Sequence, residues 1–398
     1  MRIDSHRVHY GDIGRAGDRE GAFVGVFIDG VQEHCGGMNS RATVLFQPPN
    51  HVGLGHINRL SAIALALRKL DPSIRTPFVV EGAAHVLLDV LGLPYIPLPS
   101  SHLMEESDSW AGWTKDERSE LASEISGAII KSINPQIVVF DCFPNLALAS
   151  AALKSKLPIV LCLREMRELD GYLAHIRELL PCISLLLIPH ESNAFELPET
   201  LHAKSRFVGQ IVRPIKTAPD RIQHSTRPLV VITGGGGGYP GTVKFYNLAI
   251  NALACLHQDH PTLQGRLIAG PLFQDWLRLE SVRGIAVIPF EPDMNGAFAA
   301  ADLVISVAGY NTVAELQQIR TKAILVPAER MWDDQFARAR RAAQPRSNFR
   351  IFLGSSPADL AGLAQEFLQE SLPASSSNSL DGANRAAHCL HSMIKTLS

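Results

Sequence analysis

The sequence predicts an α/β fold made of two successive units, each a parallel sheet covered by helices. Short apolar or β-branched runs alternate with amphipathic segments from residue 43 to about residue 210. The alternation stops at a polar stretch and starts again at residue 229. A glycine-rich turn follows the first strand of each unit, at 53–59 and at 234–242. Because this rhythm is typical of parallel sheets with helices on both faces, we expect two Rossmann-like domains that face each other across a cleft.

Strands and helices of the first unit follow from these runs. The predicted strands are 43–46, 77–80, 137–140, 158–163, 185–188 and 206–210, and the predicted helices are 57–69, 83–91 and 146–154. In the second unit the predicted strands are 229–233, 266–269, 285–289, 303–307 and 323–326. Its predicted helices are 242–257, one beginning at Thr312 and one beginning at Asp333, and 383–397 also has a helix-forming composition.

The domain boundaries follow from changes in composition. Residues 1–40 have no sustained periodicity and are expected to form a loose N-terminal extension, and Met38 is an alternative start to Met1 because it precedes the first convincing strand. We expect an N-terminal domain over 41–213 and a linker over 214–227. A C-terminal domain over 228–370, a Ser-rich linker over 371–381 and a final helix over 382–398 complete the chain, and that helix could return to the first domain.

Charge and hydropathy exclude several classes of protein. The 398 residues include 37 Lys plus Arg and 39 Asp plus Glu, for a formal net charge of −2. Such a balance lacks the excess positive charge that drives nonspecific nucleic-acid binding, so no nucleic-acid partner is predicted. The longest apolar stretch, 179–189, is far shorter than the roughly 18 residues of a membrane span. We expect no integral membrane segment, and contact with a membrane surface stays open.

The cysteines and the first residues indicate a compartment. The six cysteines form no CxxC pair and are expected to be reduced core residues. They are Cys35, Cys142, Cys162, Cys182, Cys255 and Cys389. We also expect no metal site and no cofactor. The first 30 residues lack the basic-then-apolar layout of a signal peptide. The sequence therefore predicts a cytoplasmic protein.

The first candidate site is the segment GLGHINR at 53–59, between a strand and a helix. Gly53 and Gly55 would let backbone N–H groups approach a ligand at the carboxyl end of the sheet. The helix dipole would keep His56 neutral, which is the form a general base needs. Arg59 and Asp141 would also line the cleft. The alternatives are a turn-capping surface histidine, an arginine paired to the sheet edge and an aspartate that caps a turn.

The second candidate site is the glycine run 234–238. Five glycines in a row are entropically costly, which favours close approach of the backbone to a ligand such as a phosphate. Gly235, Gly236, Gly237 and Gly238 are the candidates. No Lys-Ser/Thr pair follows, so the run is not a Walker loop. The alternative is a merely flexible loop.

Two further helix starts carry polar residues. Gly309, Asn311 and Thr312 could donate hydrogen bonds to a diphosphate, and Glu315 could accept from a ribose diol. The alternative is a capping role for Asn311 and Glu315. The acidic and amide groups at 333–335, including Asp334 and Gln335, suit a polyhydroxylated ligand, and they are also ordinary residues for a first helical turn.

With these motifs in order, the sequence resembles the GT-B glycosyltransferases, in particular the bacterial group related to the peptidoglycan N-acetylglucosaminyltransferase, with a family 28 C-terminal-like domain. The likeness is strongest over 228–342, where PFEPDM, ADLVIS, AGYNTVAE, ILVP and DDQFARA follow the glycine run. In the first unit only GLGHINR and the strand–helix rhythm carry it. The GLGH loop has fewer glycines than the corresponding loop of the peptidoglycan enzyme, and Tyr310-Asn311 stands where that enzyme has smaller residues. The lipid-linked acceptor of that enzyme is therefore not assigned to this protein.

The resemblance implies roles for these residues. A nucleotide diphosphate sugar, often a UDP-sugar, would bind the second unit without a metal, because helix dipoles and backbone donors stabilise the leaving diphosphate. The implied contacts are Gly235 to Gly238 with phosphate or sugar, Phe290 and Met294 with the base, Gly309 to Thr312 with the diphosphate, Glu315 with the ribose, and Asp334 and Gln335 with sugar hydroxyls. His56 would be the base that deprotonates the acceptor.

The sequence therefore predicts a glycosyltransferase of the hexosyltransferase type that moves a sugar from a nucleotide diphosphate sugar to an unidentified acceptor. We expect direct displacement with inversion, with His56 as the base. Two alternatives stay open. One is a nucleotide-sugar hydrolase or epimerase on the same fold, and the other is a catalytically silent subunit that binds a nucleotide-sugar.

Overall fold

The computed structural model describes residues 41–49, 53–98, 112–192, 194–213, 227–345, 347–371 and 380–397. The expected loose extension over 1–40 and the choice between Met1 and Met38 lie outside these residues. Most of the two expected linkers, 214–227 and 371–381, lies outside them as well.

The first sheet has seven parallel strands in the order β3-β2-β1-β4-β5-β6-β7. They are β1 Val44–Gln47, β2 Phe78–Glu81, β3 Tyr95–Leu98, β4 Ile137–Asp141, β5 Ile159–Cys162, β6 Ile183–Ile188 and β7 Ser205–Phe207. Its helices are Gly55–Leu70, Val86–Leu91, Lys115–Ile133, Leu146–Lys154, Leu169–His175 and Glu199–His202, with 3-10 turns at Gly82–His85 and Leu180–Cys182. Every residue of β1 and β4 is buried, as expected for strands covered on both faces.

The second sheet has six parallel strands in the order β10-β9-β8-β11-β12-β13. They are β8 Leu229–Thr233, β9 Gln264–Ile268, β10 Ile285–Ile288, β11 Leu303–Ser306, β12 Ala323–Leu325 and β13 Phe349–Ile351. Its helices are Thr242–Asp259, Met294–Ala300, Tyr310–Ile319, Gln335–Ala342 and Pro357–Gln369, with a 3-10 turn at Trp276–Arg278. The predicted α/β class with two parallel sheets is confirmed.

In both sheets the order of the strands reverses beside the first strand, and this reversal positions the site. In the first sheet β1 pairs with β2 on one side and β4 on the other, and in the second sheet β8 lies between β9 and β11 in the same way. Ligands of open parallel sheets bind at the carboxyl ends of the strands where the order switches. The loops after β1 and after β8 therefore lie at the two switch points.

The last helix, Gly382–Leu397, belongs to the core of the first sheet. Its buried side chains Ala386, Leu390 and Ile394 join the cluster that contains Val44 and Phe46 of β1. A side chain on Gly382 would collide with the backbone carbonyls of 209 and 210. Only a glycine lets the helix begin so close to the end of the first sheet.

Several details of the sequence interpretation are corrected. Of the five described cysteines, all free, Cys142 and Cys162 are buried, but Cys182 is exposed and Cys255 and Cys389 are only partly buried. The expectation of core cysteines is therefore wrong for Cys182, whereas Cys255 and Cys389 pack against the edges of the hydrophobic clusters. Cys182 ends a 3-10 turn ahead of β6, where its side chain does not reach the core.

Candidate functional site

One cavity of about 560 Å³ lies between the carboxyl ends of the two sheets. Loops that follow β1, β4 and β5 border it on one side, and loops that follow β8 to β12 border it on the other. Many of the residues singled out from the sequence line it. They are Gly53, Gly55, His56, Arg59, Gly235, Gly236, Phe290, Met294, Gly309, Asn311, Thr312, Glu315 and Gln335.

Four of the singled-out residues do not line the cavity. Gly237 has a φ of +83° and its Cα faces the Ala269 carbonyl and Phe273, so it serves the turn itself. Gly238 is exposed. The Asp334 carboxylate accepts from the Ala337 N–H at 2.9 Å and so caps the helix that follows. Asp141 lies behind His56 and Arg59.

His56 lies in the first turn of the helix Gly55–Leu70, and its side chain is 22% exposed. Its Nδ1 atom is 3.5 Å from Oδ2 of Asp141, the last residue of β4. Burial lowers the pKa of the imidazole, and the nearby carboxylate opposes that shift only in part. The ring is therefore neutral near pH 7. Since Nδ1 faces Asp141, Nε2 is the nitrogen left for a ligand.

Asp141 forms a buried ion pair with Arg59. Both carboxylate oxygens accept from Nη1 of Arg59 at 2.7 Å, and the two side chains are 0% and 1% exposed. Despite burial, the guanidinium holds the pKa of Asp141 below its usual range, and the carboxylate raises that of Arg59. Of the alternatives, Arg59 is thus an ion-pair residue that also reaches the cavity.

The same place brings together a potential metal-ligand set. Donor atoms of His56, Asp141 and Cys142 lie within 4.8 Å of one another. However, both oxygens of Asp141 already accept from Arg59, and burial raises the pKa of the Cys142 thiol to about 12. A protonated thiol and a cation-paired carboxylate are poor ligands, so this set does not fit a metal ion.

The glycine run is held against the first loop. A Cβ on Gly236 would lie 2.8 Å from Cα of Gly53 and 2.9 Å from N of Leu54. The buried Tyr246 hydroxyl accepts from the Gly234 N–H at 3.1 Å and donates to the Ala269 carbonyl at 2.7 Å. The run therefore lets the two halves approach backbone to backbone, and part of it also faces the cavity.

The helix Tyr310–Ile319 contacts the first half through its first turn. Asn311 Nδ2 donates to the Gly55 carbonyl at 2.8 Å, which occupies one of the two N–H donors of this amide. The Tyr310 hydroxyl donates to the Pro189 carbonyl, and the Arg59 guanidinium lies 4.9 Å above its ring. Gly309 and Thr312 line the cavity beside these contacts.

Glu315 is the buried acid of the cavity. It is 4% exposed, and burial raises its pKa to about 7, with Arg213 opposing the shift. An acid with such a pKa can either donate or accept a hydrogen bond at neutral pH. Phe290 and Met294 line the cavity as apolar residues, and Phe290 also packs against the core of the first sheet.

The segment after β12 contains Asp333, which belongs to the acidic and amide group at 333–335 singled out from the sequence, and also residues that sequence reasoning missed. Asp333 pairs with Arg164 of the first half at 2.9 Å and with Arg338 at 2.6 Å. Arg330 and Trp332 also line the cavity, together with Arg164 and Phe143 from the first half. Of the missed residues, Arg164 and Arg330 had a sequence signal, as charges after predicted strands, whereas Phe143 and Trp332 had none.

Arg341 strengthens the contact between the halves. Its Nη1 donates to a carboxylate oxygen of Glu165 at 2.9 Å, and its Nη2 reaches the other oxygen. The side chain of Arg341 is 54% exposed, so this pair contributes less than the buried ones.

Comparisons with known proteins agree with this architecture. Residues 229–387 match the family model of the glycosyltransferase family 28 C-terminal domain. A UDP-N-acetylglucosamine–N-acetylmuramyl-(pentapeptide) pyrophosphoryl-undecaprenol N-acetylglucosamine transferase of Halorhodospira halophila is 33% identical over 34% of this chain and 39% of that protein. The transferase of the same name from Methylorubrum populi is 27% identical over 65% of this chain and 73% of that protein.

A solved structure extends the likeness to nearly the whole chain. The crystal structure of Acinetobacter baumannii MurG superposes with a TM-score of 0.53 at 18% identity, covering 89% of this chain and 99% of that one. At such identity the likeness concerns the fold. Among the described residues no helix is long and apolar enough to cross a membrane.

Proposed function

Because the chain has the GT-B fold and residues 229–387 match the family model of the glycosyltransferase family 28 C-terminal domain, we propose that the protein transfers a sugar from a nucleotide diphosphate sugar to an acceptor hydroxyl. One observation carries the proposal. A single cavity joins His56 on the first half to a helix start, Gly309 to Thr312, on the second. The proposed base and the proposed anion site thus face the same cavity, as the transfer of a group between two bound substrates requires.

His56 is the proposed general base. Asp141 faces Nδ1 and so favours the tautomer with its proton there, leaving the Nε2 lone pair to accept the acceptor's proton. The acceptor oxygen then bonds to the anomeric carbon while the bond from that carbon to the diphosphate breaks, which inverts the configuration. The proton stays on His56, and the diphosphate leaves with the electron pair.

The second half holds the donor in this proposal. Backbone N–H groups at Gly235 and Gly236 and at the start of the helix Tyr310–Ile319 stabilise the leaving diphosphate. Glu315 takes a ribose hydroxyl, and Phe290 and Met294 border the base. Gln335 contacts the sugar, whereas Asp334 is engaged as a helix cap. We propose a UDP-sugar as the donor, as for the curated relatives by their names.

Thermal unfolding with a panel of nucleoside diphosphates and their sugars tests the donor site. A ligand at 100 times its dissociation constant stabilises the native state by about 2.7 kcal/mol, which is a readily measured shift. Uridine derivatives are expected to give the largest shift. No shift with any nucleotide would overturn the proposal. The variant His56→Ala should keep donor binding, and His175→Ala is its control, because His175 is exposed and does not line the cavity.

The same assay, followed by product analysis, separates the alternatives. Release of free sugar without an acceptor indicates a hydrolase. Conversion of the nucleotide-sugar into an epimer indicates an epimerase. Binding of the nucleotide-sugar without turnover, whatever acceptor is added, indicates a silent subunit. The proposal includes a cytoplasmic location, which cell fractionation tests, and it includes no nucleic-acid partner.

A further inference from the structure

Three arginines line the cavity, and they differ in their partners. Arg59 is paired with Asp141, and Arg164 is paired with Asp333. Arg330 has no carboxylate within 4.0 Å among the described residues. Asp333, the nearest acid that influences it, is already shared by Arg164 and Arg338. The cavity therefore carries one positive charge that no side chain in the described part of the chain neutralises by direct contact.

Tyr239 holds this guanidinium in place. The central carbon of the Arg330 guanidinium lies 3.6 Å from the centroid of the Tyr239 ring, which is a close cation–π stack. Gly241 makes the stack possible, since a Cβ there would lie 2.7 Å from Cζ of Tyr239. The end of the glycine-rich turn thus packs a ring under Arg330, a role that its sequence did not suggest.

A stacked, partly buried guanidinium has a defined ligand chemistry. Stacking satisfies one face of the group and leaves its five N–H donors in the plane, directed toward the edge of the cation. In the described part of the chain these donors make no hydrogen bond. A planar fork of free donors at a cavity wall matches the oxygens of a phosphate or a carboxylate.

We propose that Arg330 binds an oxyanion of the donor. Tyr239 is the positioning residue, because its ring holds the guanidinium in one orientation by stacking against it. This inference rests on the proposed function, because it takes a nucleotide diphosphate sugar as the ligand. The oxyanion has two potential sources: a phosphate oxygen of the diphosphate, or a carboxylate on the transferred sugar. The first would make Arg330 a stabiliser of the leaving group, and the second a selector of acidic sugars.

The variant Arg330→Gln tests the proposal against Arg340→Gln as the matched control. Arg340 lies on the next helix and is exposed, so both variants lose one positive charge from the same region. Titration calorimetry at fixed ionic strength would measure binding of inorganic pyrophosphate, uridine, UDP, UDP-glucose and UDP-glucuronate to each protein. Unfolding curves of the free proteins show whether each variant is folded.

A phosphate source predicts one pattern. Arg330→Gln should bind pyrophosphate and UDP about 10- to 100-fold more weakly than the parent and the control, the range for a hydrogen bond to a charged group, with uridine unchanged. A sugar carboxylate predicts unchanged UDP binding and loss of a preference for UDP-glucuronate over UDP-glucose. Equal binding of all five probes by Arg330→Gln and Arg340→Gln would overturn the proposal.

Tyr239 variants supply a second readout. Tyr239→Phe keeps the ring and should bind as the parent does, whereas Tyr239→Leu should weaken the same probes that Arg330→Gln weakens. Pyrophosphate separates this inference from the proposed function. Binding of pyrophosphate that depends on Arg330, with no binding of any nucleotide, would keep the anion site and overturn the transferase. A parent protein that binds none of the five probes would overturn both.

Discussion

Nδ1 of His56 lies 3.5 Å from Oδ2 of Asp141, although 85 residues separate them in the sequence. The pairing exists because β1 and β4 are neighbours in the sheet, so the loop after β1 and the end of β4 lie side by side. The carboxylate is simultaneously bound by Arg59. The histidine thus faces an acid that stays ionised and yet remains neutral itself, because burial of the imidazole outweighs the attraction.

The pH dependence of transfer should report this neutral histidine. Because its pKa is lowered, activity should be flat near neutrality and fall only below about pH 6.5, when the base becomes protonated. His56→Ala should lose about 100- to 10,000-fold in turnover and keep donor binding. Full activity in that variant, with His175→Ala as the control, would remove the base assignment.

Breaking the Arg59–Asp141 pair should cost stability. Asp141→Asn leaves the buried Arg59 guanidinium without a countercharge, and losing one partner of a buried pair typically destabilises by about 3–5 kcal/mol. Urea unfolding at pH 7 measures the loss. The double variant Arg59→Met with Asp141→Asn should recover part of it, and equal stability of the single and double variants would contradict the pairing argument.

Glu315 should lower the stability of the ligand-free protein as pH rises. Its folded pKa of about 7 lies above that of an unfolded glutamate, so the folded state holds the proton between about pH 4.5 and 7 and the unfolded state does not. Unfolding free energy therefore falls across that window. Glu315→Gln should be more stable than the parent at pH 8 by about 3 kcal/mol and nearly equal at pH 4.5.

Urea unfolding at both pH values checks this prediction, with the exposed Glu120→Gln as the control. A gain at pH 8 that the control shares would mean a general charge effect and not the burial of Glu315. If the proposed ribose contact is right, Glu315→Gln should also weaken UDP binding while it stabilises the fold.

Gly236 and Gly53 should respond differently to the same added methyl group. Gly236→Ala places a Cβ 2.8 Å from the backbone of Gly53, so the halves must shift, at about 1–3 kcal/mol, with weaker nucleotide binding. Gly53→Ala meets nothing within 4 Å and should be nearly neutral. Small-angle scattering and donor affinity measure the difference, and equal behaviour of the two variants would contradict a close contact between the loops.

Strands and helices whose apolar residues recur with a clear period were predicted from the sequence, whereas elements without such a period were missed. Strand β4 and the helix Thr242–Asp259 fall within one or two residues of the expected bounds. The helix Lys115–Ile133 was missed although Thr114 and Glu117 form a capping box at its start, because its apolar face is narrow. Strand β13 was also missed, because only Phe349 of its three residues is buried and no apolar run marks it.

The residues of the site show the same difference between what could and could not be predicted. Glycine-rich turns and helix starts are local features, so His56, Gly235, Gly236 and Glu315 could be placed near the cavity from their position after a strand. Partners are not local. Nothing in the sequence indicated that Asn311 donates to Gly55, or that Asp333 is shared by two arginines.

The sequence by itself determined two parallel sheets, their order along the chain and the turns at which ligands approach, because the periodicity of apolar residues and the positions of glycines are local features of the sequence. The tertiary structure alone decided which charges are neutralised. Strand order brings Asp141 to Arg59 and the segment after β12 to the first half. Among the described residues this leaves Arg330 without a paired carboxylate, and burial gives Glu315 a pKa of about 7. Electrostatic pairing depends on distances of a few ångströms between residues far apart in the chain, and only the folded arrangement sets those distances.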